Sequence, residues 1–422
     1  MFAFDPSGNA KGRLLPPDVP FRFFAAAIVS NVLAWLAFLV FCEEALQGLS
    51  LAATGALHLA TLGVLATTAV GASFQLLPVA TKRPVRSVAL CKLTFWLLVP
   101  GTALFAAGLV SGIPRLAEAG GGLAALGLLL YLGLLIDNLR AVADLPQVTR
   151  HAWVAVASLG LLVLLGVTLA ANLAHGFLGE RTGIALAHGI LAAYGFMGMM
   201  VMGLSYILIP MFALAPAPSP AQALLSARLG GAAVMLAALG ALADLRALLA
   251  LAALLGLGAF AVYLRAMKSV ISQRMRRQMG FFFKPIFAGW FFIAVSLLIG
   301  LLLALGALPP AMGPLFAFAL VAGGLVTFLL GVLQRIMPFL ASMHCAGPNG
   351  RTPTLSQLAD ERLVKAHFWI HLAALILVFA GLAHGWIWPL KIGSALGLLG
   401  ALVFAAFALD LWRRARNHKR SA

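Results

Sequence analysis

His58 and His188 each lie inside a stretch that is otherwise apolar, a costly place for an imidazole without a partner. The partner can be a backbone carbonyl at a helix contact, or a metal that takes the ring nitrogen's lone pair. His367 and His371 are four residues apart, so on a helix they share one face and could bind a metal together. His344 stands beside Met343 and Cys345, soft donors suited to Cu(I). With His151 these residues make a second histidine group, expected near one face of a membrane, where solvated rings are the plainer reading. Met197, Met199, Met200, Met202 and Met211 offer thioethers along one stretch, or adaptable packing around a bulky group. No catalytic residue is assigned. The chain has no Walker motif, no dinucleotide-binding glycine loop, no HExxH and no nucleophile elbow.

The elements that must position these residues are apolar helices. The 422 residues are 63% hydrophobic and 10% charged, with a mean hydropathy of +1.03, which implies an all-α polytopic membrane protein. Twelve stretches can span a bilayer: 21–42, 52–78, 87–111, 116–139, 151–175, 184–212, 224–243, 246–267, 285–307, 312–341, 364–385 and 388–412. With both termini inside, all but four of the 29 Lys and Arg fall on the inner side. Arg115, Arg181, Arg246 and Lys391 are the exceptions, on outer loops that also carry Glu43, Glu44, Glu118, Glu180 and Asp244. The net charge of +17 is then an inner-face feature, including the run from Arg265 to Lys284 with Arg274, Arg276 and Arg277. That pattern suits topology control and anionic headgroups, not nucleic acid. Cys42, Cys91 and Cys345 form no CxxC and indicate no disulfide framework. No removable signal peptide is read at the N-terminus, so the first spanning helix is expected to target the chain.

A glycine, a second glycine eight residues on and a proline seven further recur three times: Gly63, Gly71, Pro78; Gly195, Gly203, Pro210; Gly323, Gly331, Pro338. The copies fall in helices 2, 6 and 10, which predicts parallel four-helix repeats over 21–140, 151–268 and 284–412 and a basic tail at 413–422. One membrane domain, 1–422, would then be a pseudo-threefold ring lined by helices 2, 6 and 10. The glycines permit close approach of a helix or a flat ligand, and the prolines bend or end the helix. Asp137 is expected to pair with Arg140, one turn away. Gln75, Tyr206, Gln334 and Arg335 are expected at the inner ends of the repeat helices, lining a polar passage or meeting headgroups.

Twelve helices in three four-helix arcs, with histidines on helices 2 and 6, resemble subunit I of the haem–copper oxidase superfamily, in the flavour of stand-alone NnrS-type proteins. The familiar stretches are HLATLGVLATTAVGASFQLLP, AHGILAAYGFMGMMVMGLSYILIPMF and GVLQRIMPFLASMH. The resemblance implies at least one haem b, with His58 and His188 as axial ligands, Gly63 and Gly195 giving it room, and His175 and His384 as further ligands or propionate partners. His58 lies five residues before its repeat glycine and His188 seven, a difference that rotates a helical side chain by about 200°. On neighbouring helices of a ring the two rings would then face one shared gap. Where the family carries a His-x-His pair on helix 10, this chain has Phe316 and Phe318, and helix 7 has no histidine. A full binuclear centre is therefore not expected.

The resemblance thus implies electron transfer or nitric-oxide or other diatomic gas handling, with an electron-donor protein or quinol as partner. A bacterial inner membrane is expected, both termini cytoplasmic. Two alternatives stay open: a copper or small-solute transporter using His344, Cys345, His367 and His371, and a cofactor-free respiratory assembly partner.

Overall fold

The computed structural model describes residues 15–48, 50–140, 142, 145–275, 278–345 and 352–421; Arg276 and Arg277 of the basic run lie outside them. No strand occurs among the described residues, and twelve helices are long and apolar enough to cross a membrane. They are α1 Asp18–Val40, α2 Leu51–Ala80, α3 Val88–Val110, α4 Pro114–Leu139, α5 Pro146–His175 and α6 Thr182–Ala213. The rest are α7 Pro220–Leu242, α8 Arg246–Ser272, α9 Phe283–Ala304, α10 Pro310–His344, α11 Glu361–His384 and α12 Ile387–Ser421. Each falls within a few residues of its sequence expectation except at the C-terminal end, where the basic segment from residue 413 continues α12. Arg414 there reaches back to Asp410 at 2.7 Å and across to Asp360 at 3.2 Å.

The helix boundaries follow local chemistry. The Ser50 and Ser87 hydroxyls accept the Ala53 and Leu90 amides and cap α2 and α3, and Asp360 caps α11. Pro114, Pro146 and Pro220 open α4, α5 and α7, where a missing N–H costs nothing. Gly176 and Gly385, at φ of +66° and +69°, close α5 and α11 in the left-handed region that other residues resist.

The chain divides into two compact units. One takes in Ala66–Met279 and Ala294–Pro310; the other takes in Pro16–Leu65, Gly280–Ile293 and the chain from Ala311 onward. In the first, α3 with α4 and α7 with α8 are the tightest helix pairs, and α4 packs on α5. In the second, α11 with α12 is tightest and α1 packs on α12. Small residues permit these approaches: a methyl on Gly101 or Gly108 would stand 2.4 and 2.3 Å from the Ala124 and Ala117 amides of α4.

Helices α2, α6 and α10 differ from the other nine. Their apolar windows are 83%, 72% and 83% buried, against 22–44% elsewhere. Each also widens into eight residues of π-helix: Leu59–Ala66, Leu191–Gly198 and Ala319–Val326. Each π segment starts four residues before the first repeat glycine and ends three after it, so the backbone repeats together with the motif. The prolines Pro78 and Pro210 sit in the last turn of their helices, and Pro338 in the last turn but one of its own. The repeat glycines Gly195, Gly203, Gly323 and Gly331 meet neighbouring side chains. Added methyls would stand 2.5 Å from Ser158 Oγ at Gly195 and 2.8 Å from His151 Cβ at Gly203. At Gly323 and Gly331 they would stand 2.6 Å from the Phe292 ring and 2.9 Å from Pro285. Here glycine serves helix-on-helix contact: α6 against α5, α10 against α9.

Candidate functional site

His58 is the last residue of α2 before its π segment, half-buried, and its Nδ1 lies 2.9 Å from the Thr54 carbonyl one turn back. His188, half-buried on α6 three residues before the π segment begins at Leu191, places Nδ1 2.9 Å from the Leu162 carbonyl of α5. A methyl on Gly166 would stand 2.8 Å from His188 Cε1, so a glycine one turn along α5 makes room for the ring. A carbonyl only accepts, so Nδ1 carries the proton in both rings. In the neutral form Nε2 then holds the lone pair, the tautomer that ligates metals. His58 belongs to the second unit and His188 to the first.

In the second unit, α10 and α11 share a buried polar ladder. Thr327 Oγ1 donates to the Ala322 carbonyl at 2.7 Å and accepts from His371 Nε2 at 2.9 Å. Two turns further along α10, Gln334 Nε2 donates to His367 Nδ1 at 3.0 Å. The two imidazoles stack with centroids 5.4 Å apart, Phe404 lies against His367 and the Trp35 edge against His371. His367 Nε2 and Gln334 Oε1 are buried without a hydrogen-bond partner among the described residues. The spacing of His367 and His371 does put them on one face, where their visible partners are a hydroxyl and an amide.

His151 is fully buried in the first unit. Its Nδ1 donates to the Gln147 carbonyl at 2.8 Å, and its Nε2 lies 3.1 Å from Ser226 Oγ, which also meets the Tyr206 hydroxyl at 3.0 Å. Tyr206 and Gln334, expected at a polar passage or among headgroups, are instead buried histidine-network residues. Ser226 and Thr327, which complete the two networks, were not singled out in the sequence; the only signal was a hydroxyl inside a spanning helix.

The remaining candidates are peripheral. His175 Nε2 pairs with Glu118 at 3.0 Å, and His384 stacks on Trp386 at 4.6 Å. His344 ends α10 next to Cys345, whose thiol is buried and pushed up in pKa by that burial, with Lys419 opposing. Asp137 pairs at 3.8 Å with Arg86 of the α2–α3 loop, not with Arg140 as its spacing suggested. Three-residue spacing gave only proximity along one helix, whereas the loop brings a cation to the helix end. Among the described residues, no three His, Cys, Asp or Glu side chains gather as a metal-holding group. No protein-family model and no curated protein matches the chain.

Proposed function

We propose that this protein is a haem-binding integral membrane protein built from three four-helix repeats, working in electron transfer or diatomic gas handling without a full binuclear centre. The observation that carries the reading is the matched presentation of His58 and His188. Both sit on the deeply buried, π-widened helices, and both commit Nδ1 to a backbone carbonyl, so the donor set suits an axial ligand. π segments often accompany functional sites, and these recur at one frame position in all three repeats. The repeat reading is further supported by the packing of a repeat's last helix on a repeat's first, α4 on α5 and α12 on α1.

When bound, a haem b would supply one-electron chemistry and, with an open axial position, a site for a small gas. The chain's own part is to hold each ring in its ligating tautomer and to keep the surroundings apolar. A bacterial inner membrane with both termini cytoplasmic is the setting proposed from the Lys and Arg distribution. The test is a reduced-minus-oxidised spectrum with haem and copper counts on the purified protein. A haem signal that falls away in His58→Ala or His188→Ala supports the reading, and adding carbon monoxide reports whether an axial position is open. Copper without haem would favour metal handling instead.

A further inference from the structure

The segment that opens α9 rests on α11 within the second unit, through a contact built from aromatic rings and lysines. Phe281 meets Phe368 edge-on at 5.5 Å, and Phe292 meets Phe379 at 6.2 Å. The offset in residue number is the same at both contacts, so the two helices run side by side in one direction. Lys284, the second residue of α9, places Nζ 4.6 Å from the centre of the Phe281 ring and 5.1 Å from that of Trp369 on α11. Lys365 Nζ lies 5.9 Å from the same Phe281 ring. Two ammonium groups thus share one aromatic ring near the starts of two spanning helices.

Like charges gathered at one ring repel unless an anion joins them. Glu361 stands 3.3 Å from Lys365, whereas Lys284 has no ion pair among the described residues. A ring face attracts the ammonium charge but leaves its N–H donors open to an oxyanion. The two rings also hold the Lys284 stem in place, so an arriving anion does not have to order it. Past the lysines the same surface turns apolar. Trp369 lies one turn after Lys365, Ile376 two turns after Trp369 and Phe291 two turns after Lys284, each more than half exposed. The shared offset sets Phe291 and Ile376 at nearly the same depth, about 10 Å along the helix from Lys284. A soluble anion would use the lysines alone; an anionic amphiphile uses both parts.

We infer that this surface of α9 and α11 is a binding site for one anionic phospholipid, its phosphate oxygens accepting from the Lys284 and Lys365 ammonium groups and its acyl chains lying along Trp369, Ile376 and Phe291. Basic charge spread over the proposed inner face draws anionic lipid without selecting a place. Two lysines on one ring, above an exposed apolar surface, select one. The inference needs neither His58 nor His188 and goes beyond the haem reading.

The test equilibrates the full-length protein, purified and washed free of lipid in detergent, with micelles holding equal amounts of phosphatidylglycerol and phosphatidylcholine, and measures bound lipid by native mass spectrometry. The expected result is preferred binding of phosphatidylglycerol, weakened about fivefold in Lys284→Gln or Lys365→Gln and about thirtyfold in the double variant. Lys284→Arg and Lys365→Arg are expected to keep it. So is Lys268→Gln, which removes an exposed lysine from the last turns of α8 in the other unit. Both site lysines are exposed, so their variants are expected to fold. Equal binding of the two lipids, an equal loss in Lys268→Gln, or displacement of the lipid by equimolar inorganic phosphate would overturn the assignment. The haem count is expected to be unchanged in the lysine variants, and a haem-free wild type that still selects phosphatidylglycerol would sink the haem reading alone.

Discussion

A histidine inside a bilayer is stable only when its nitrogens are accounted for, and the partners found here differ in kind. His371 and His151 reach hydroxyls of neighbouring helices through Nε2, and His151, His58 and His188 all anchor Nδ1 on a backbone carbonyl. The hydroxyl bonds and the His188–Leu162 bond tie one helix to another, and each Nδ1 bond to a carbonyl also fixes its ring's orientation. Thr327 is the clearest case of locking, because its hydroxyl serves both the Ala322 carbonyl, inside the π segment, and His371. Thr327→Val keeps the shape and removes both bonds, and is expected to cost about 1–3 kcal/mol. The check is thermal unfolding of the purified variant in detergent; an unchanged midpoint would show that the Thr327–His371 rung contributes nothing. The histidine positions were legible in the sequence because polar residues stand out in apolar helices. Their partners were not, since Ser226 and Thr327 are common helix residues whose role depends on which neighbour they meet.

At the scale of the element, hydropathy placed twelve helices within a few residues, because span length is set by bilayer thickness. The π segments escaped notice. An i→i+5 backbone leaves no side-chain period of its own over eight residues, and the glycine spacing reads equally well on a regular helix. The same glycines did signal close approach, but only the folded chain shows that the neighbours are helices at four positions. Substitution separates contact from open space. Gly203→Val would force a branched side chain against His151 and is expected to destabilise by about 1–3 kcal/mol. Gly133→Ala on α4, where an added methyl meets nothing within 4 Å, is expected to be neutral or slightly stabilising. Paired denaturation curves check this, and equal shifts at the two sites would remove the packing explanation. The missed Asp137–Arg86 pair has the same origin as the missed hydroxyls: it depends on a loop that returns to the helix end.

At the scale of the whole molecule, the strongest regularity is threefold. One glycine frame, one π segment and one proline recur on the three most buried helices, while the sequences around them diverge. With all twelve helices crossing, α2, α6 and α10 run in the same direction, so the loops after them share one side. The topology proposed from the Lys and Arg distribution puts that side in the cytoplasm. Single cysteines introduced at Arg83 and at Ala215 are therefore expected to resist an impermeant thiol reagent added to intact cells. One at Gly179, between α5 and α6, is expected to react, and the reverse pattern would invert the topology.

The account's central claim is that this scaffold carries haem on His58 and His188. The measurement that tests it most directly is the reduced-minus-oxidised absorption spectrum of the purified protein, with a pyridine haemochrome count, for wild type, His58→Ala and His188→Ala. The account predicts a b-type signal at a defined ratio of haem to chain that is lost or converted in the two variants, while Gly133→Ala retains it. A haem-free wild type from cells amply supplied with haem, or a signal indifferent to both histidines, would contradict it.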